Sequence, residues 1–249
     1  MTTPKTNRPS FEQIDYRLRP GKTIERKLIL ELLPHLHTFH NLSDYRYVGL
    51  GSTFFTEFIL LHRWLNISDM VSIEHLLDKQ QRIEFNRPFG CINLEFGSTT
   101  DVLPRLDWSK TSIVWLDYDG PISRDILSDL TFLSQNLTSG SMLLFTLRAK
   151  REDFGGGQPP NLAERLRALE ERIGRSVPSG IQAQDLSNFA EVLRRITTVA
   201  INDGLIDRNA ALSIREQLSY RQVMNFLYND GTPMVTFGGV IASASDMTK

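Results

Sequence analysis

Gly49-Leu50-Gly51-Ser52 closes one short apolar run and leads into a segment with helical spacing. Glycines at a strand-to-helix turn let the backbone approach a ligand without an intervening Cβ, and the free N–H groups of the following helix attract a polar or anionic group. Taken alone, such a pair is equally a tight turn. Glu74 stands 23 residues after Gly51, at the end of the next apolar run. A carboxylate at that position accepts both hydroxyls of a ribose, an arrangement that implies a nucleoside rather than one particular chemistry. After the third apolar run come Phe96-Gly97-Ser98-Thr99-Thr100-Asp101. Ser98 or Thr99 there can meet an adenine amine, or the same hydroxyls can cap a helix. The fourth run ends in Leu116-Asp117-Tyr118-Asp119-Gly120-Pro121, two carboxylates around an aromatic. Asp117 can hold a ligand's amino group or position a substrate, and Asp119 can act as a base. Asp-Gly-Pro is also a good turn.

A second group lies upstream. In Ile14-Asp15-Tyr16-Arg17-Leu18-Arg19-Pro20-Gly21-Lys22, arginines alternate with apolar residues just before a helix. Arg19 and Lys22, with Arg17 behind them, are candidates to supply cations to a substrate's carboxylate or phosphate; the alternative is a solvated arm. The histidines (His35, His37, His40, His62 and His75) complete no metal-ligand set, so no metal is expected, although His75 adjoins Glu74. The chain has no GxSxG elbow, no Walker-type phosphate loop and no HExxH, which argues against the hydrolase and P-loop classes.

These residues require a scaffold that brings the ends of successive apolar runs together. Tyr45–Leu50, Met70–Ile73, Ile92–Phe96, Ser112–Leu116 and Ser141–Leu147 read as strands. Between them lie helical patterns over Phe54–Leu65, Asp78–Phe85 (with Asp78 as N-cap), Thr100–Leu106 and Arg124–Leu137. Continuously apolar strands separated by helices predict a parallel sheet covered on both faces, doubly wound because crossovers are right-handed. Ahead of it, Thr23–Phe39 reads as an amphipathic helix with Ile24, Leu28, Leu32 and Leu36 on its apolar face and a break at Pro34. After Arg148 comes a glycine- and proline-rich loop, then helical patterns over Leu162–Ile173 and Ser187–Ile201, so that 150–215 reads as a helical insertion or lid. Tyr220–Tyr228 and Pro233–Ala242 flank Asn229-Asp230-Gly231 and predict a terminal antiparallel hairpin. The expected fold is therefore a Rossmann-like α/β domain over 11–249, a mostly parallel seven-stranded sheet ending in a hairpin, preceded by a mobile tail over 1–10.

A chain of 249 residues, 41% hydrophobic and 23% charged, can bury a core of that size. Its formal net charge of −1 offers no global field for nucleic acid or anionic lipid. The basic arm is a local exception, with seven basic residues against three acidic ones between Lys5 and Lys27. Cys91 is the only cysteine, which excludes an internal disulfide framework. The first residues lack the apolar core of a signal peptide, and no apolar run approaches the roughly 18 residues needed to span a bilayer. A cytoplasmic protein without membrane partners is expected.

Five β/α units followed by a hairpin resemble the order of class I S-adenosylmethionine-dependent methyltransferases. More specifically, the chain resembles a bacterial family labelled putative O-methyltransferases. The resemblance rests on IDYRLRPGKTIERK (Ile14–Lys27), YVGLGSTFFTEFILLHRWL (Tyr47–Leu65), MVSIE (Met70–Glu74), RIEFNRPFGCI (Arg82–Ile92) and VWLDYDGP (Val114–Pro121). It implies S-adenosylmethionine as cofactor, with Gly49, Gly51 and Ser52 under its methionine end, Glu74 on the ribose, Ser98 or Thr99 near adenine, and Asp117 at the site of methyl transfer. Tyr47 stands where many such enzymes carry an acid, Thr53 replaces the third glycine, and DYDG stands in place of the asparagine-proline-proline-aromatic signature of amino-directed nucleic-acid enzymes. Two readings of function remain: a methyltransferase acting on an unidentified acceptor, such as a hydroxyl, or a non-catalytic Rossmann-like module that senses a nucleotide or nucleic acid. A third, an NAD-dependent oxidoreductase, fits Gly49, Gly51 and Glu74 but fits the terminal hairpin poorly.

Overall fold

The computed structural model describes residues 19–155 and 161–248. The expected tail over 1–10, Arg17 with the rest of the arm up to residue 18, and 156–160 of the glycine-rich loop lie outside the described residues. Seven strands, β1 (Arg46–Leu50), β2 (Asp69–Glu74), β3 (Ile92–Phe96), β4 (Ser112–Asp117), β5 (Ser141–Arg148), β6 (Leu218–Asn229) and β7 (Pro233–Ser243), form one sheet in the order β3-β2-β1-β4-β5-β7-β6. The first five run parallel, and β7 is antiparallel to both β5 and β6. This is the doubly wound sheet with a terminal hairpin that the sequence predicts.

The strands alternate their side chains between two cores, as a pleated backbone must. Val48, Val71, Val114 and Leu116 enter one core, which also takes residues of α5 (Arg124–Asn136), α6 (Leu162–Ile173) and α7 (Phe189–Asn209). Tyr47, Met70, Ile113 and Trp115 enter the other, with residues of α1 (Pro20–Leu32), α2 (Thr56–Leu65) and α3 (Gln80–Asn86). Within 150–215, α7 buries Val192, Leu193, Ile196 and Ile201 in the first core, so it is a covering layer of the sheet. No helix among the described residues is long and apolar enough to cross a membrane.

Three local expectations change. The α-helical part of the first helix stops at Leu32, and the tighter turns of Leu33–Thr38 follow, because Pro34 cannot donate to an α-helical ladder. Asp78 does not cap α3: the chain makes a tight turn over Leu77–Lys79 first, and Lys79 takes the cap position. The face of α1 is inverted. Ile24, Leu28 and Leu32 are exposed, at 58%, 39% and 38%, while Lys22, Glu25 and Arg26 are buried with Ile29 and Leu33. Hydrophobic spacing identified the helix, but its charged side finds partners beneath it and its apolar side does not.

Candidate functional site

In the strand order, the chain winds outward from β1 to β3 and then returns to β4 on the other side of β1. A crevice forms at such a switch point, outside the carboxyl ends of the two strands, here Leu50 and Asp117. Gly51 follows β1, and its N–H donates to the Ile73 carbonyl at 3.0 Å. A Cβ on Gly51 would run into the Glu74 carboxyl and the Ser72 hydroxyl, and one on Gly49 would run into the Tyr47 phenol. Both glycines are thus demanded by close approach. Ser52 Oγ accepts from the Phe54 N–H at 3.3 Å and shapes the turn.

Glu74 ends β2 and is only 3% exposed. Ser72, two residues earlier on the same face, donates its hydroxyl to Glu74 Oε1 at 2.8 Å. Burial pushes the Glu74 carboxyl up to about 7, against the smaller opposing pull of the Ser72 hydrogen bond. A buried carboxyl with one neutral donor retains unused lone pairs, as a binder of two ribose hydroxyls requires.

Beyond β3, Ser98 caps α4 (Thr99–Val102), accepting from the Asp101 N–H at 3.2 Å while donating to Asp101 Oδ2 at 2.6 Å. Thr99 donates to the carboxylate of Asp129 on α5. The capping role considered for this loop therefore falls to Ser98, and Thr99 is tied to a residue 30 positions away.

On the other side of Gly51, the first helix delivers an ion cluster to the end of β4. Lys22 Nζ lies 2.7 Å from Asp117 Oδ2 and 2.7 Å from Glu25 Oε2, between the rings of Trp115 and Tyr228 at 5.1 and 5.9 Å. Thr236 of β7 donates to Glu25. Burial works against the ammonium, but Asp117 and Glu25 outweigh it and hold Lys22 above the ordinary lysine range. Alongside, Arg26 Nε donates to Glu57 Oε1 at 2.7 Å. Tyr47 is fully buried, and burial, reinforced by the Glu57 and Asp117 charges, keeps its phenol neutral. The helix bearing this cluster is capped from afar: Asp230, in the β6–β7 turn, accepts from the Gly21 and Lys22 N–H groups, each at 2.9 Å.

The residues expected from sequence thus divide. Gly51, Glu74 and Asp117 stand at the carboxyl ends of the neighbouring strands β1, β2 and β4, with Gly49 and Ser52 on either side of the turn at Gly51. Lys22, expected as a cation for a substrate, instead lies buried at the end of β4, where its ammonium pairs with the protein's own Asp117 and Glu25. Arg19 precedes α1 as its N-cap residue and is half-exposed, whereas Asp119 is exposed between half-buried neighbours. No group of three or more His, Cys, Asp or Glu that could hold a metal occurs among the described residues. Sequence reading missed Glu25, Arg26, Glu57, Asp129, Asp230 and Thr236. Two of the signals were present: Lys22, Glu25 and Arg26 share one helical side at i, i+3 and i+4, and Asp129 falls on the face of Ile126, Leu130 and Leu133.

Residues 14–249 match the family model described as "Putative O-methyltransferase". The chain belongs to this family. Among solved structures it is similar to a precorrin-6y C5,15-methyltransferase from Geobacter metallireducens, at 10% identity over 91% of this chain and 92% of that one, TM-score 0.46. It is also similar to an S-adenosylhomocysteine-bound methyltransferase from Podospora anserina, at 8% identity over 93% and 82%, TM-score 0.45. A B. subtilis tRNA methyltransferase is matched at 10% identity over 84% of this chain, which spans 64% of that one, TM-score 0.42. No curated protein matches the sequence. The family is one of methyltransferases, and the residues present fit S-adenosylmethionine as methyl donor: Gly51, lacking a Cβ, lets the Glu74 carboxyl pack directly against the turn after β1, and Glu74 keeps acceptor capacity to spare.

Proposed function

We propose that this chain transfers a methyl group from S-adenosylmethionine to a hydroxyl-bearing acceptor, with Asp117 receiving the proton. The observation that carries this reading is the placement of Asp117. It ends β4 next to the Gly51–Glu74 cradle, has its side chain 29% exposed, and is held from behind by buried Lys22 at 2.7 Å. When bound, the cofactor supplies an electrophilic methyl on sulfur, so the protein's task is alignment and exclusion of water. Gly49, Gly51 and Ser52 admit the methionine end, Glu74 accepts the ribose hydroxyls, and Ser98 and Thr99 flank adenine. Asp117 then accepts the acceptor's proton as the new oxygen–carbon bond forms and the carbon–sulfur bond breaks. Asp119 and Arg19 stand at the outer rim, where they would meet the acceptor rather than the cofactor. A nucleic-acid acceptor has less support, since the net charge gives no general field and Lys22 and Arg26 of the basic segment are buried in ion pairs.

Titration calorimetry with S-adenosylmethionine, S-adenosylhomocysteine, NAD and ATP tests the reading. Binding of the first two, lost in Glu74→Ala, is the expected result; absence of both from the intact chain would sink it. A second reading, binding without turnover, is favoured by the engagement of Asp117 with Lys22. It gains if the cofactor binds but labelled methyl reaches nothing in lysate.

A further inference from the structure

We propose that Asp129 determines which purine edge the cofactor crevice accepts, by keeping the hydrogen of the Thr99 hydroxyl turned away from it. This rests on reading the crevice as a nucleoside-cofactor site. Asp129 is 2% exposed, on the face of α5 that also buries Ile126, Leu130 and Leu133. An apolar residue would be the cheaper occupant of such a position, since burying a carboxyl costs free energy that its hydrogen bonds only offset. Two hydroxyls converge on its Oδ2: that of Thr99, and that of Tyr118 at 2.7 Å. Thr99 follows β3 and Tyr118 follows β4, so one carboxyl ties together the two loops at the carboxyl edge of the sheet.

A hydroxyl has one hydrogen and two lone pairs. With its hydrogen committed to Asp129, Thr99 offers only lone pairs to any other group. Ser98 is committed in the same sense, its hydrogen on Asp101 Oδ2. Its oxygen in turn accepts from the Asp101 N–H and pairs with the Thr100 hydroxyl at 3.0 Å, so of the two hydroxyls expected near the purine it is Thr99 that is left to face a ligand, and it does so as an acceptor. A purine with a 6-amino group donates to such a loop, whereas a 6-oxo purine would set its own lone pairs against it. Discrimination then comes from a built-in mismatch against the wrong base as much as from attraction to the right one. Asp129 acts through Thr99 and is a positioning residue.

The test is calorimetry with S-adenosylhomocysteine and S-inosylhomocysteine, which differ only at that purine edge. The wild-type chain is expected to favour the amino compound by about tenfold or more, the order of one mismatched hydrogen bond. Asp129→Asn, whose amide oxygen still accepts, should keep the preference. Asp129→Leu and Thr99→Val should bring the ratio close to one, the first by freeing the Thr99 hydrogen and the second by removing the hydroxyl. A purely structural role for Asp129 would weaken both ligands equally and leave the ratio unchanged, which overturns the proposal while the cofactor reading stands. If Asp129→Leu does not fold, an unchanged ratio in Thr99→Val overturns it equally. Binding of neither compound to the wild-type chain removes the cofactor reading and this inference together.

Discussion

Around the crevice, Glu74 is the side chain whose charge changes near neutral pH. Its carboxyl is raised by burial from the ordinary range to about 7. A raised acid binds its proton more tightly in the folded chain than in the unfolded one, so its contribution to stability is complete below the unfolded pKa and is lost as pH rises through the folded value. The melting temperature of the ligand-free chain should accordingly fall less with rising pH between about pH 5 and about pH 8 in Glu74→Gln than in the wild type. Ribose needs the ionised form, so S-adenosylhomocysteine affinity should move the opposite way, increasing from about pH 6 to about pH 8 in the wild type alone. Calorimetry across that range distinguishes the two trends. Gly51→Ala should weaken the same ligand by about tenfold or more, through contact of the new methyl with Glu74 and Ser72. Lys22 raises a question of stability instead. Lys22→Met leaves Glu25 buried without its cation and should cost about 3–5 kcal/mol in urea unfolding. The pair Lys22→Met with Glu25→Gln should recover part of that loss, and strictly additive losses would count against the coupling.

At the level of elements, α1 and the hairpin form a unit although they lie far apart in sequence. Asp230 caps α1 through both carboxylate oxygens, so Asp230→Ala should lower stability by about 1 kcal/mol, read as a drop in denaturation midpoint. The hairpin contributes through an irregularity as well. The pairing of β6 with β7 shifts between Gln222 and Met224, leaving Val223 as the extra residue. Because side chains alternate with a period of two, one extra residue moves those beyond it to the other face. Leu218 and Tyr220 pack on the core of α5 and α7, while Met224 and Phe226 pack on the opposite core and Tyr228 reaches Lys22. Alternation alone puts Tyr228 beside Tyr220 and gives no hint of its meeting with Lys22. Strand and helix patterns were legible because they depend on neighbours in sequence. The inverted face of α1 was not, because the spacing of Ile24, Leu28 and Leu32 carries no information about the carboxylates of Asp117 and Glu57 and the Thr236 hydroxyl that meet Lys22, Arg26 and Glu25. Gly51, Glu74 and Asp117 were legible because strand ends and turn glycines mark the rim of a parallel sheet wherever they occur.

For the whole molecule, a single sheet with helices on both faces places every residue of the proposed cofactor site along one edge, so a ligand there touches the ends of β1 to β4 at once. Such a ligand should stabilise the fold as a whole, by about 2.7 kcal/mol at a hundredfold excess over its dissociation constant. S-adenosylhomocysteine should raise the melting temperature where NAD and ATP leave it unchanged; equal shifts for all three would point to a less selective nucleotide site.

The pinning of α1 by Asp230 also bears on the order in which the chain can acquire its structure. Gly21 and Asp230 are 209 residues apart, and Glu25 and Thr236 are 211 apart. On a growing polypeptide, α1 has its apolar residues long before it has its cap, and Glu25 meets no Thr236 until β7 has left the ribosome. Contacts of such separation carry the full entropy of closing a long loop and arrive late. The first helix among the described residues is therefore among the last elements to be sealed, and completion of the ion cluster at Asp117 coincides with completion of the sheet.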